Sequence, residues 1–476
     1  MAKNTVLTVD LGAESGRVMA VGFDGERLSI EELRRFVNPQ TTIHGVLHWD
    51  FLHLWREIQA GILAGKELNP ASIGVDTWGV DFALLDQQGS LIGNPVGYRD
   101  ARTNGMMEKV FERVPVEEVF ERTGIQLMRI NTLFQLMSLV ENSSPQLEIA
   151  ETLLMAPDLL NYWLTGAKVS EFSIATTSQM YDPTAGDWAF GMLEALGIPT
   201  RILPEIVPPG TKLGEYEGIA VIAPATHDTG SAVAAVPTNT SEYAYISSGT
   251  WSLVGLETTR PIINREALAA NVTNEGGVYG TYRLLKNCTG LWIVQQCRRT
   301  WAEAGEPYSY AELVEMARQA PPLVSVIDPD DEAFLAPGNH PELIQAYCER
   351  TGQEVPQSKG SILRAALDGL ALAYRKTLES LQTVSGQTVR RIHIVGGGTQ
   401  NELLNQKTAD ATGLPVYAGP IEATVLGNAL VQLITLGEIG DLAQGREVVM
   451  QSTPLRTYEP RQTDAWRAAY ERFQLL

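Results

Sequence analysis

Thr5-Val-Leu-Thr-Val-Asp10-Leu-Gly12-Ala13-Glu14-Ser15-Gly16-Arg17-Val-Met-Ala-Val-Gly-Phe23 is two β-rich runs around a turn of small and polar residues, which predicts a hairpin. Asp10 stands at the end of the first run, just ahead of the turn. Roughly 240 residues further on, Tyr243-Ala-Tyr-Ile-Ser247-Ser248-Gly249-Thr250-Trp-Ser-Leu-Val-Gly-Leu256 repeats the arrangement of strand, small hydroxyl-rich turn and strand. A repeat of that period predicts a chain of two related halves.

The rest of the chain alternates strands with helices. Ala71–Asp76, Thr77–Asp86, Ile219–Pro224 and Arg391–Val395 have strand composition. Asp50–Leu63, Met106–Phe120, Thr132–Glu141, Ala156–Leu164, Ser231–Val236, Thr399–Ala411 and the end of the chain from Asp464 are expected helices. Such alternation predicts α/β sheets. Pro237-Thr-Asn-Thr-Ser-Glu242 is a cluster of turn formers between two apolar segments, which places the domain boundary near residue 240.

A chain of 476 residues with a formal net charge of −20 is long enough for more than one core and repels phosphate backbones and anionic lipid. Nucleic acid and membrane are therefore not expected partners. Three cysteines, Cys288, Cys297 and Cys348, make no disulfide framework, and no N-terminal signal peptide or apolar run long enough to span a bilayer occurs, so a cytoplasmic location is expected. His44, His48 and His53 lack metal-ligand spacing, and the cysteines are expected as buried small side chains.

No P-loop motif and no strand-linked G-x-G-x-x-G is present. The two hairpin turns supply an alternative phosphate grip: main-chain N–H groups at close approach, with hydroxyls from Ser15, Ser247, Ser248 and Thr250. Each turn alone reads as an ordinary β-turn; it is the pair, with an acid beside one of them, that offers the phosphate reading. Asp10 is placed to hold hydrated Mg²⁺ against phosphates. Gly396-Gly397-Gly398, between a strand and a helix, offers a third set of backbone donors. Asp228 follows a buried strand and precedes a small-residue helix, where open α/β sheets place ligands; it suits a general base for a hydroxyl, or an N-cap. Trp78 and Arg99, in Asp76-Thr-Trp78-Gly79-Val-Asp81 and Tyr98-Arg99-Asp100-Ala-Arg102, combine rings and charges that suit a sugar, or buried ion pairs.

These segments together resemble the FGGY carbohydrate kinases of the actin-like ATPase superfamily, from about Thr5 to about Leu436. Asp10–Arg17 resembles the first phosphate loop, Ser247–Ser252 the second, and Ile394–Asn401 the adenosine segment. Thr77–Phe82, Tyr98–Gly105, His227–Thr229 and Asn274–Gly277 resemble one branch of that family and differ from its glycerol and xylulose kinase segments. The resemblance implies two actin-like (ribonuclease H-like) α/β domains with an interdomain cleft, residues 1–240 carrying the sugar site, first phosphate loop and catalytic Asp, and residues 241–476 carrying the second phosphate loop and adenosine site. It implies a kinase that takes ATP, Mg²⁺ and a small sugar. Asp228 matches the catalytic base; Gly79, His227, Thr229 and Asn287 match sugar contacts; Ala13, Glu14, Ser15, Gly16, Arg17, Thr250, Gln295 and Gly397 match nucleotide contacts. Glu14 departs from the small hydroxyl residue that many sugar kinases carry there, and its acid is expected to point away from phosphate. Another ketose or polyol kinase of the same family would share the phosphate motifs and differ in the sugar loops; a non-catalytic sugar- or nucleotide-binding regulator is the rival from a different class, and Asp228 argues against it.

Overall fold

The computed structural model describes residues 4–476. The chain forms two compact units: one holds the chain up to Asn239 with Glu257–Leu284 and Ala423–Ser452, the other holds Thr240–Leu256, Leu285–Glu422 and Thr453–Leu476. Near residue 240 the chain passes from one to the other, and two later segments return to the first unit.

In the first unit the predicted hairpin is Asn4–Leu11 against Ser15–Phe23, antiparallel, with Asp10 opposite Arg17. Asn4–Leu11 is buried from Val6 onward because both its faces are covered, Leu7, Val9 and Leu11 packing on Phe51–Gly65 and Val6 on Ala423–Thr435, while its other edge pairs in parallel with Ser72–Thr77 and puts Asp10 level with Asp76. The six-stranded sheet runs Leu28–Val37, Ser15–Phe23, Asn4–Leu11, Ser72–Thr77, Ile219–Ile222, Lys212–Tyr216, the last strand antiparallel to its neighbour. Apolar alternation on these strands faces Phe51, Leu54, Ile58 and Ile62 of the helix Phe51–Gly65, whose first turn is capped by the Asp50 side chain on His53 N–H.

The other sheet has the same order over six of its strands: Tyr282–Thr289, Trp251–Thr258, Tyr243–Ser248, Arg391–Val395, Val416–Ala418 and antiparallel Arg456–Tyr458. The second hairpin thus occupies the same sheet position as the first, which is the duplication legible in the two turns.

Three helix expectations need correction. Met106–Phe120 is two helices, Met106–Phe111 and Val116–Thr123, because Pro115 has no N–H to continue the first and stands at the N-cap of the second. The helix expected from Thr399 is a 3-10 turn, Gly397–Gln400, followed by Glu402–Thr412, which starts afresh where the Asn401 side chain accepts the Leu404 N–H at 3.0 Å. The helix expected from Ser231 begins at Asp228 and ends at Ala234.

Candidate active site

The carboxyl ends of the parallel strands in the first unit carry Asp10, Asp76 and, just past Ile219–Ile222, His227-Asp228. Thr77 N–H donates to Thr226 O at 2.9 Å, which ties the third strand's exit loop to the middle one. Asp228 opens its helix with His227 as N-cap; its Oδ1 accepts the Thr229 N–H at 2.6 Å, and its side chain keeps 29% of its surface exposed. Burial raises the Asp228 pKa and the nearby Asp10 charge adds to this, against the pull of His227. Asp10 Oδ2 accepts two N–H groups of Arg17, at 2.9 and 2.5 Å. Asp76 is fully buried; Oδ2 accepts Asn428 Nδ2 at 2.6 Å and Oδ1 has no hydrogen-bond partner. Desolvation, then the charges of Asp10 and Asp228, hold the Asp76 acid well above the usual carboxylate range.

His227 is held by a buried acid behind it. Glu171 accepts Thr226 N–H and hydroxyl at 2.9 and 2.8 Å and Ser173 N–H at 2.9 Å, and Ser173 Oγ in turn accepts the His227 N–H at 3.1 Å. A Cβ built on Gly79 would stand 3.3 Å from His227 Nε2, so Gly79 and His227 border the same small space. Trp78 is 5% exposed: its ring lies 4.3 Å from that of Trp49 and its N–H donates to Asp81 at 2.9 Å, so it backs the Gly79 segment from inside the unit. Arg99 is half-buried over the Tyr98 ring, 5.2 Å from its centroid, and Thr229 is buried beside Asp228.

The Trp78–Asp81 segment is strained and pinned. Val80 has φ +67°, a left-handed conformation costly for a β-branched residue. It is held by Thr177 Oγ1 on its N–H and by Thr132 and Gln135 on its carbonyl. Asp81 anchors the segment as the acceptor for Trp49 Nε1 at 2.6 Å, Trp78 Nε1 at 2.9 Å and Gln135 Nε2 at 3.1 Å. Burial lifts its pKa to about 6 despite these donors and the Arg102 charge. An acid that binds its proton more tightly when folded contributes stability that is complete below the unfolded value of 3.8 and is lost as pH rises through about 6. Urea unfolding at pH 5 and pH 7 should therefore show about 1 kcal/mol less pH dependence of this sign in Asp81→Asn than in the parent chain. Equal pH dependence in both would mean that folded Asp81 is already ionised at pH 5, and would contradict its raised pKa.

The first turn is fastened through its carbonyls: Gly12 O accepts Asn38 Nδ2 at 2.9 Å, Glu14 O accepts Asn38 N–H at 3.0 Å, and Ser15 O accepts Gly12 N–H at 2.9 Å. Ala13 is half-buried, while the Glu14 and Ser15 side chains are exposed. Gly16 is a packing requirement, since a Cβ would meet Phe36 at 2.4 Å. In the second unit, Gly249 O and Thr250 O accept the N–H groups of Leu291 and Trp292, and Gln295 Nε2 donates to Thr250 Oγ1 at 3.3 Å, which brings together two of the expected nucleotide contacts. Gly397 faces open space, whereas a Cβ on Gly398 would come within 2.0 Å of Ser248 Oγ. Asn287 lies half-buried on Tyr282–Thr289 in this unit. The three cysteines are buried, and burial pushes the Cys288 and Cys297 thiols up, as packing residues rather than nucleophiles.

The sequence model of the N-terminal domain of the FGGY family of carbohydrate kinases matches residues 5–223, and that of its C-terminal domain matches residues 244–436. The chain belongs to the FGGY family of carbohydrate kinases. Within relatives of known name, it is 44% identical to a rhamnulokinase of Bacteroides thetaiotaomicron, with 99% of each chain covered, and 41% identical to a rhamnulokinase of Pectobacterium carotovorum subsp. carotovorum, with 100% and 97% covered. Its fold is similar to that of a ligand-bound xylulose kinase from Lactobacillus acidophilus, at a TM-score of 0.81 and 15% identity with 99% and 96% covered. It is also similar in fold to the Plasmodium falciparum glycerol kinase solved with ADP, at a TM-score of 0.79 and 15% identity with 99% and 97% covered. The two-domain FGGY kinase fold is thereby shared across low identity. No helix among the described residues is long and apolar enough to cross a membrane.

Several residues of this FGGY site were not singled out from the sequence. Asn428 and Gln432 lie on the helix Ala423–Thr435, yet Asn428 bonds Asp76, and Gln432 bonds Leu7 O at 3.1 Å and Ser72 Oγ at 2.6 Å. Asn38 acts through backbone carbonyls, and Glu171 through backbone N–H groups and the hydroxyls of Ser173 and Thr226. No local motif marks any of the four.

Proposed function

We propose that the chain transfers the γ-phosphoryl group of MgATP to the 1-hydroxyl of L-rhamnulose, giving L-rhamnulose 1-phosphate and ADP. The observation that carries this reading is Asp228, a partly exposed carboxylate at the strand ends beside His227, with Gly79 close against the His227 ring. Asp228 accepts the proton of the 1-hydroxyl as that oxygen bonds to phosphorus and the bond to ADP breaks. Gly79, His227, Thr229, Arg99 and Asn287 serve the sugar, with Trp78 backing the Gly79 segment, and Ala13 to Arg17, Thr250, Gln295 and Gly397 serve the nucleotide; the first unit carries the base, most sugar contacts and the first phosphate turn, and the second carries Asn287, the second phosphate turn and the adenosine contacts. Glu14, exposed at the turn, contributes its backbone.

The acid set fits a hard divalent ion. Asp76 Oδ1 is buried without a partner next to Asp10, and Mg²⁺ is ordinarily held by one or two carboxylates with water and phosphate oxygens. Asp10 is the proposed ligand, with Arg17 orienting its carboxylate; when bound, the ion neutralises charge on the transferring phosphates.

The deciding experiment is ADP release over a panel of L-rhamnulose, L-fuculose, D-xylulose and glycerol. L-Rhamnulose is expected to give the highest kcat/KM, and glycerol, which lacks the terminal methyl and the ketone, to be strongly rejected. Comparable kcat/KM for glycerol and L-rhamnulose would overturn the substrate assignment. Gly79→Ala tests the placement of the sugar: its Cβ would press on His227 Nε2 and Thr177 at 3.3 Å, with no positive-φ strain at this position. The expected result is a loss on the order of tenfold in kcat/KM for L-rhamnulose with KM for ATP little changed. A defect confined to ATP binding would move the sugar elsewhere.

A further inference from the structure

We infer that Arg283 and Glu275 are positioning residues which fix His227 in the tautomer that carries its proton on Nε2, so that a hydrogen-bond donor stands beside the base Asp228. Glu275 belongs to the Asn274-Glu-Gly-Gly277 segment and lies on the strand Thr273–Gly276, and Arg283 lies on the strand Tyr282–Thr289. Arg283 is completely buried, Glu275 is 5% exposed and His227 is 7% exposed. Burying two charges this deeply is costly unless they are paired, and here Arg283 Nη2 lies 3.2 Å from Glu275 Oε2. Arg283 Nε donates to Gly276 O at 2.9 Å, which sets the guanidinium plane.

Held this way, Arg283 Nη2 stands 3.0 Å from His227 Nδ1, and Glu275 Oε2 stands 3.2 Å from the same nitrogen. A guanidinium nitrogen can only donate, so the shorter contact requires a lone pair on Nδ1. The proton of the neutral imidazole is then on Nε2, 3.5 Å from Asp228 Oδ1 and 3.3 Å from the Cβ position of Gly79. Glu275 balances the guanidinium charge and the His227 main chain is fixed separately through Ser173, so the ring has one supported orientation. A donor next to an acceptor matches two oxygens on adjacent carbons, the reacting 1-hydroxyl at Asp228 and the C2 oxygen of a 2-ketose at Nε2. That last step rests on the ketose kinase reading; the tautomer does not.

The test is a two-bond ¹H–¹⁵N correlation spectrum of the full chain labelled with ¹⁵N-histidine, without ligand. Six histidines are present, and His227 is assigned by the signal lost in His227→Gln. The expected pattern has an unprotonated Nδ1 and a protonated Nε2; a protonated Nδ1 would overturn the inference. In Arg283→Met/Glu275→Leu, which removes both charges and offers Nδ1 neither a donor nor an acceptor, the pattern should shift toward a mixture of tautomers. KM for L-rhamnulose should rise about tenfold, the worth of one hydrogen bond, with KM for ATP within about twofold. An unchanged His227 pattern with unchanged KM in a folded double variant would also overturn it. If that variant does not fold, the parent spectrum decides alone. Failure of the sugar panel leaves the tautomer result standing, so the two readings fail separately.

Discussion

Asp228→Asn should fold as the parent does and turn over L-rhamnulose about 10² to 10⁴ times more slowly, the usual worth of a positioned base. The amide is nearly isosteric, and its carbonyl oxygen can still accept the Thr229 N–H that now meets Oδ1 at 2.6 Å, so the helix Asp228–Ala234 keeps its first turn. What is lost is the capacity to take a proton from the sugar hydroxyl. Burial raises the Asp228 pKa, which makes the carboxylate a stronger base than a surface aspartate, and the amide abolishes that altogether. KM for ATP should stay close to the parent value, because the phosphate turns are untouched. The measurement is kcat beside a thermal unfolding midpoint: near-normal kcat with an unchanged midpoint would remove Asp228 from the chemistry.

Gly427→Ala should destabilise the chain by about 3 kcal/mol, the upper part of the usual range for an overpacked core. The added Cβ would stand 1.7 Å from Ser231 O and 2.6 Å from Ser231 C, and backbone cannot rotate away as a side chain can. The helices Asp228–Ala234 and Ala423–Thr435 must then separate, which strains the hydrogen bonds of Asn428 and Gln432 to the strands beneath and displaces Asp228 itself. Both the urea midpoint and kcat should fall. Gly191→Ala is the matched control: this glycine also lies in a helix, Phe190–Leu196, but its Cβ would meet nothing within 4 Å, so the change should be neutral or stabilising by up to about 1 kcal/mol. Equal effects of the two substitutions would mean that helix propensity, not close approach, governs position 427.

The segments around the two turns were legible in the sequence because their signals are local. Strand alternation, the polar turn at Gly12–Arg17 and its echo at Ser247–Thr250 are patterns within about twenty residues, and each became a hairpin in the same place in its sheet. Asp228 was legible because a carboxylate directly after a buried strand has few places to go in an open α/β sheet. Helix interruption at Pro115 was written in the residue itself and lost only under the apolar periodicity around it.

What only the tertiary structure decided is which distant residues stand behind those local features. Asp76 meets Asn428 across 352 positions, and His227 meets Arg283 across 56 and Ser173 across 54. A hydrogen-bond partner for a buried polar group is obligatory, but its sequence position is set by how helices and sheets pack, and no local period records it. The same holds for the units: turn formers at Pro237–Glu242 mark one passage, whereas Ala423–Ser452 returns to the first unit because its apolar face is buried there, and Glu257–Leu284 returns with Val278 packed against Ala225 and Ala234. Trp78 makes the difference concrete. Its sequence neighbours suit a sugar, yet Trp49 and Asp81 take its ring and its N–H, since a fully desolvated carboxylate demands donors and the Trp78 indole supplies one beside that of Trp49.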